Sequence, residues 1–152
     1  MENIEKIPEA ALDLIGKEKV RKVLVTERDI HRFAQAVDQE PDYVNGEILA
    51  PPLFCQSMTY EEVPFDQLPQ DGTPLEIAIP LDAEKTVGGS SDYTFYRQIK
   101  AGETITVVSK LMFIKPKKGR SGEFFLVGIE TSFKDAEDKL VAQELASYVK
   151  RS

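Results

Sequence analysis

Long β-forming runs dominate the second half of the chain, and they restrict the fold more than any other feature of the sequence. Runs rich in β-branched and aromatic residues occupy residues 91–97, 103–114, 123–133 and 140–149. Turn signals separate them at Gly102, residues 117–122 and residues 135–139. Long β runs between turn signals favour an antiparallel meander. Gly128, inside the third run, indicates a bulge.

A helix with one apolar face is predicted before these runs. Thr26 is a suitable N-terminal cap, and Asp29 follows three residues later as in a capping box. Ile30, Phe33, Ala34 and Val37 then recur with helical spacing. Pro41 ends the helix by about residue 39, since the residue before a proline avoids the helical conformation. A sheet wrapped around the apolar face of this long helix is an α+β fold.

Shorter elements complete the first half. We expect a short helix over residues 9–16, a strand over residues 19–25 and a second helix over residues 53–60. Four prolines between residues 61 and 80 indicate a loop with at most one short edge strand near residues 75–79.

Composition excludes several functional classes. The chain has 152 residues, the size of one domain spanning residues 1–152, and a net charge of -7, which disfavours binding to nucleic acid. One cysteine and one histidine exclude an internal disulfide and the common zinc sites, and we expect no metal and no cofactor. No apolar run is long enough to span a membrane and no signal peptide is evident, so we expect no membrane partner and a cytoplasmic location.

Several motifs, taken in order, carry a family resemblance. They are residues 30–43 (IHRFAQAVDQEPDY), 50–54 (APPLF), 95–103 (FYRQIKAGE), 118–124 (KGRSGEF) and 140–142 (LVA). Together they resemble the MaoC-like hot-dog domain over residues 15–151. More narrowly, they resemble the N-terminal dehydratase-like half of fungal fatty-acid synthase and of mycobacterial two-subunit hydroxyacyl dehydratases.

The resemblance implies a hot-dog fold, pairing of two such domains, and a thioester site at the seam between them. Catalytic members reversibly hydrate a trans-2-enoyl thioester on coenzyme A or acyl carrier protein, using an aspartate, a proline three residues on and a histidine five residues on. Asp38 and Pro41 match the first two positions, but Tyr43 occupies the histidine position. A phenol with a pKa near 10 is a poor base at neutral pH.

A second departure concerns the backbone. Catalytic members hold the thioester carbonyl with glycine amides, whereas residues 50–52 here are Ala-Pro-Pro, and proline has no N–H to donate. Both departures indicate the non-catalytic half of an R-specific 3-hydroxyacyl-thioester dehydratase (enoyl hydratase). Two alternatives stay open: a free-standing homodimeric hydratase or thioesterase using Asp38, and a module that only binds acyl thioesters. The expected assembly is a homodimer or a heterodimer with a MaoC-like catalytic subunit.

The candidate substrate-binding residues follow from the same resemblance and from charge. Lys117, Lys118 and Arg120 belong to the main concentration of positive charge, which suits the phosphates of coenzyme A or of a phosphopantetheine arm. Arg97 is placed near the dimer seam by the resemblance, and Phe54 lies in the APPLF motif. His31 is expected to face solvent and Cys55 to be a core residue, and neither is expected to be catalytic. Asp38 itself has a plain alternative role as a turn residue after the helix.

Overall fold

The computed structural model describes residues 7–68 and 77–152. Within these residues, three helices and seven strands follow in chain order, with a 3-10 turn at Phe65–Gln67. The helices are α1 (Glu9–Leu12), α2 (Glu27–Ala36) and α3 (Phe54–Ser57). The strands are β1 (Glu18–Leu24), β2 (Asp42–Val44), β3 (Glu47–Leu49), β4 (Lys85–Phe95), β5 (Thr104–Gly119), β6 (Gly122–Lys134) and β7 (Leu140–Arg151).

Five strands form one antiparallel sheet in the order β1-β5-β6-β7-β4. The predicted meander holds only for β5, β6 and β7, because β4 pairs with β7 rather than with β5, the next strand of the sheet in sequence. The strands β1 and β4 therefore form the two edges. The strands β2 and β3 make a separate small hairpin.

The predicted helix forms as α2, and its two ends explain its length. The Thr26 side chain accepts a hydrogen bond from the Asp29 amide, as a capping residue does. At the other end, the Gln39 amide donates to the Ala34 carbonyl and the Asp38 amide donates to the Gln35 carbonyl. With Asp38 in the left-handed conformation (φ 55°), this is a Schellman motif that ends the helix.

The inner face of the sheet packs against the helices and holds two apolar clusters. The first joins Ile30 of α2 and Phe54 of α3 to sheet residues that include Phe133. The second surrounds Leu111 and Val127 and includes Ala11 of α1. The predicted α+β class, with an antiparallel sheet around the apolar face of a helix, is confirmed.

A buried polar row separates the two clusters. Ser109, Thr131 and Glu144 lie side by side on β5, β6 and β7, and all three are buried. Ser109 and Thr131 hydroxyls lie 3.2 Å apart, and the Ser91 hydroxyl donates to the Glu144 carboxylate at 2.7 Å. Their hydrogen bonds offset part of the cost of burying polar groups.

Several local predictions differ from the structure, and α1 and β4 also differ in length from the elements predicted over residues 9–16 and 91–97. The helix expected over residues 53–60 is the single turn α3. The hairpin loop expected over residues 117–122 is shorter, since β5 continues to Gly119 and β6 begins at Gly122. Residues 77–79 are not a strand, and residues 75–76 lie outside the described residues.

The predicted bulge lies opposite Gly128 rather than at it. The register shifts between Leu111 and Phe113, so the extra residue is Met112 on β5. Gly128 pairs with Phe113, and an added Cβ would stand 2.5 Å from Cζ of that ring. A larger residue there would displace the Phe113 ring, because the ring lies directly over the Gly128 backbone.

Candidate functional site

Asp38 lies in an open depression at the end of α2. The depression has a volume of about 440 Å³, and its lining includes His31, Asp38 and Glu40. All three side chains are exposed. Among the described residues, no hydrogen bond joins His31 to Asp38, and the Asp38 backbone already serves as the helix end. The sequence predicted His31 to face solvent, and the structure places its exposed side chain in the same depression as Asp38.

Tyr43 lies on the small hairpin that follows. Asn45 and Gly46 both have positive φ (52° and 78°), which is the type I′ turn that an Asn-Gly pair favours. The hairpin holds Tyr43 on β2, opposite Ile48, with 60% of its surface exposed. Tyr43 is absent from the lining of the depression around Asp38. The position of the family histidine therefore carries an exposed phenol.

The backbone after this hairpin offers few donors. Pro51 and Pro52 have no N–H, and their carbonyls accept hydrogen bonds from the Phe54 and Cys55 amides at 2.9 and 3.4 Å. The Ala50 amide donates to the Ile99 carbonyl at 2.7 Å. A thioester carbonyl would therefore find the Ala50, Phe54 and Cys55 amides already engaged.

Phe54 lies on a separate groove between β1, α2 and α3. The groove has a volume of about 720 Å³, and Phe33, Phe54 and Met58 contribute its apolar lining. The rings of Phe33 and Phe54 meet edge to face, with centroids 5.7 Å apart. Arg21 and Arg32 are among its charged residues, which include acids as well. This groove is larger than the depression at Asp38 and more apolar in its lining residues.

Arg97 is held by carboxylates from two turns. Its guanidinium donates to both oxygens of Glu103, at 3.0 and 2.7 Å, and to Asp135 at 3.1 Å. These hydrogen bonds, chiefly those with Glu103, raise the pKa of Arg97, and Arg97 in turn lowers the pKa of Glu103. The network ties the end of β4 to the turns before β5 and before β7.

Lys117, Lys118 and Arg120 lie at the opposite end of the sheet. Lys117 and Lys118 belong to β5, and Arg120 lies in the turn after it. Fourteen residues of extended strand separate Glu103, which holds Arg97, from Lys117, a distance of roughly 45 Å. One chain therefore holds Arg97 and the predicted phosphate-binding residues at opposite ends of β5.

The sequence missed a buried group of polar and ionisable side chains near the β4 edge. Glu144 is only 7% exposed, and it lies close to Tyr93 and Cys55. Burial and the Glu144 charge raise the pKa of Tyr93, and burial raises the pKa of Cys55 to about 12. The residue pattern of β7 does not predict that Glu144 is buried, because only the strand register places its side chain on the inner face of the sheet.

In residues 7–68 and 77–152, no group of three or more histidine, cysteine, aspartate or glutamate residues is arranged to hold a metal ion. Within the same ranges, no helix has both the length and the apolar character needed to cross a membrane.

Comparison with known proteins identifies the class. A solved MaoC-like dehydratase from Rhodospirillum rubrum superimposes with a TM-score of 0.62 at 17% identity, covering 90% of this chain and 92% of that one. The ChsH1-ChsH2 complex from Mycobacterium tuberculosis gives a TM-score of 0.68 at 18% identity, covering 100% and 98%. The fold is therefore the hot-dog fold of the MaoC-like dehydratases and hydratases, as the sequence motifs predicted.

The family follows from sequence matches. The model for the FAS1-like dehydratase domain region matches residues 14–144. A UPF0336 protein of Streptomyces griseus subsp. griseus is 30% identical over 151 residues, which is 91% of this chain and 85% of that protein. The chain belongs to the FAS1-like dehydratase domain family.

Proposed function

We propose that this chain is the non-catalytic, acyl-thioester-binding subunit of an R-specific 3-hydroxyacyl-thioester dehydratase. In this role the chain acts as one hot-dog domain. It shapes the substrate channel and supports a MaoC-like partner, which supplies the complete aspartate-proline-histidine turn. The substrate is an acyl thioester of coenzyme A or of acyl carrier protein.

One observation carries the proposal: Asp38 and Tyr43 do not form an acid–base pair. A general base must lie within hydrogen-bonding reach of the proton that it removes. Asp38 serves as a helix end in an open depression, and Tyr43 is an exposed residue of the hairpin outside that depression. The Ala50, Phe54 and Cys55 amides are hydrogen-bonded within the chain as well, which removes three donors from the activation of a thioester carbonyl.

The free edge of the sheet supports pairing with a second hot-dog subunit. The edge strand β4 is 11 residues long and exposed along most of its length. An open edge of this length is an aggregation hazard unless another strand covers it. The ChsH1-ChsH2 complex contains two different chains of similar fold, which is the arrangement that we propose here.

The groove at Phe54 suits the acyl chain. Leu24 and Phe33 expose apolar surface in this groove next to α2, whereas Phe54 and Met58 form its buried floor. Ligand sites are commonly apolar clefts with a few polar groups at the rim. We therefore assign the acyl chain to this groove and assign Arg97 a supporting role at the seam, because its guanidinium is already bound to Glu103 and Asp135.

A second candidate function is a free-standing hydratase or thioesterase. The proximity of His31 to Asp38 in one depression favours it, because an imidazole can act as a base near neutral pH. The exposed position of both groups argues against it, since an open site does not exclude water from the reacting atoms.

The decisive experiment is an absorbance assay with crotonyl-coenzyme A. We expect the purified chain alone to be silent, and activity to appear when a MaoC-like subunit with the intact turn is added. In that complex, Asp38→Asn in this chain should leave turnover unchanged, and asparagine tolerates the left-handed conformation at this position. The proposal would be overturned if the chain alone hydrates the substrate and if Asp38→Asn or His31→Gln abolishes that activity. Release of the thiol would indicate a thioesterase.

A further inference from the structure

We infer that the outer face of the sheet, at its hairpin end, docks an acidic carrier protein that presents the acyl group to the partner subunit. The docking surface is a cationic patch formed by Lys85, Lys115, Lys117 and Arg151. The inference rests on the proposed function, and it names the carrier as a protein rather than free coenzyme A.

The register of four strands builds the cationic patch. Lys85 on β4 pairs with Arg151 on β7, and Lys117 on β5 pairs with Phe124 on β6. Lys115 lies two residues before Lys117 on the same face of β5, opposite Leu126, and extends the patch. No sequence motif links these residues, because Lys85 and Arg151 lie far from the basic run at residues 115–120.

These side chains point away from the core. Their neighbours on the opposite face, Phe125 and Lys150, are buried. Lys85, Lys115, Lys117 and Arg151 are all exposed, and in the described part of the chain none of the four is seen in a salt bridge. Lys115 lies over the Phe113 ring, 4.5 Å from its centroid. The patch therefore presents charged groups to solvent on an aromatic base.

The charge distribution makes this patch unusual for the chain. The protein carries a net charge of -7, yet four cations gather at one end of one face. On the face that carries the patch, the nearest acidic side chains of β4 and β6 are Asp92 and Glu130. They lie about 13 Å along the strands from Val87 and Leu126, which are level with Lys115. A local positive field in an acidic protein favours an acidic partner and speeds its encounter.

The width of the patch favours a protein surface over a single phosphate group. Three strand spacings separate Lys85 from Lys117, a distance of about 14 Å. Carboxylates at positions i, i+4 and i+8 of a helix span about 12 Å, which matches this width. An acidic helix can therefore meet several cations of the patch at once.

The patch also lies where a carrier would serve the partner subunit. The Gln98 side chain, just after β4, donates to the Asp42 carboxylate, so the segment that follows Asp38 lies at the Phe95 end of the strands, opposite the patch. Lys85 begins β4 and Phe95 ends it. If two β4 edges pair about a two-fold axis, the strands run antiparallel, and the Lys85 end of one subunit lies beside the Phe95 end of the other. A carrier docked on this chain therefore stands next to the partner's catalytic turn.

The test compares two double variants of the full chain. Lys85→Glu/Arg151→Glu reverses charge within the patch, and Lys17→Glu/Lys139→Glu makes the same change of net charge elsewhere. The probe is a purified bacterial apo acyl carrier protein without its phosphopantetheine arm, and binding is measured by fluorescence anisotropy at low and at high salt. We expect the patch variant to bind on the order of tenfold more weakly, with a shallower salt dependence, and the control variant to bind nearly as the wild type does.

The other outcomes separate a failure of the docking inference from a failure of the proposed function. Equal losses in both variants would show a response to net charge alone, and undiminished binding in the patch variant would remove the surface. Turnover by the subunit pair separates docking from chemistry: the patch variant should lose activity with crotonyl-acyl carrier protein but not with crotonyl-coenzyme A. Equal losses with both thioesters would show a phosphate site instead. Absence of turnover by the wild-type pair, with binding of the apo carrier intact, would contradict the proposed function and leave docking supported.

Discussion

Gly128→Ala tests whether the aromatic ring of Phe113 explains the glycine in the middle of β6. Gly128 and Phe113 are paired across β5 and β6, and a Cβ at position 128 would stand 2.5 Å from Cζ and 2.7 Å from Cδ1 of the ring. These separations are far inside van der Waals contact. Since Phe113 is half-buried on the outer face, the ring has room to swing toward solvent.

The net effect is the difference between two opposing contributions. Displacing a packed side chain costs about 1–3 kcal/mol. Replacing glycine by alanine in a strand gains about 0.5–1 kcal/mol. We therefore expect Gly128→Ala to lower the free energy of unfolding by about 1 kcal/mol, which corresponds to a fall in Tm of about 2–4 °C for a domain of this size.

A double-mutant cycle should reverse the sign of the stability change caused by Gly128→Ala. In a Phe113→Ala background the ring is absent, and Gly128→Ala should then stabilise the protein by about 0.5 kcal/mol. Gly88→Ala on β4 is the matched control, because nothing lies within 4 Å of its added Cβ. The measurement is urea unfolding followed by circular dichroism. If Gly128→Ala is equally destabilising with and without the Phe113 ring, the steric explanation is wrong.

Two further predictions concern ionisable groups. Burial raises the pKa of Cys55 to about 12, so at pH 8 its thiolate fraction should be roughly 1,000-fold below that of an unperturbed thiol. Labelling with a disulfide reagent should be correspondingly slow until urea unfolds the chain. Rapid labelling of the native protein would refute the raised pKa. Arg97 lowers the pKa of Glu103, so the pair stabilises the fold above the ordinary glutamate pKa of 4.5, and this stabilisation is lost as the pH falls through the lowered value. Arg97→Met should therefore lower the free energy of unfolding by about 1 kcal/mol at neutral pH and by progressively less in acid. Urea unfolding at each pH measures this loss. A loss that does not change with pH would contradict the stabilising ion pair.

The outcome at Asp38 shows how a motif and a structural role share one position. The sequence placed Asp38 in the family motif and also allowed a turn residue after the helix. The structure gives it the left-handed position of a Schellman motif, and aspartate tolerates that conformation better than most residues. The match at Asp38 therefore has a local structural explanation, whereas the change at Tyr43 bears directly on chemistry.

Much of the architecture was readable because its signals are local. The cap at Thr26, the apolar stripe of α2 and the turn around residues 135–139 each depend on a few neighbouring residues, and all three are present in the structure. The hairpin at residues 117–122 was placed correctly but made too long, because strand pairing extended β5 and β6 to Gly119 and Gly122.

The amino-acid order by itself determined the helix, the β-rich second half and the family, because each is written in the spacing of nearby residues. Only the tertiary structure decided which strands are neighbours, and hence that β4 forms an edge and that Glu144 is buried. It also decided that Lys85 and Arg151 lie side by side, across the sheet from Lys117. The physical reason is that register and strand order depend on pairing between distant segments, and such pairing leaves no periodic signal in either segment.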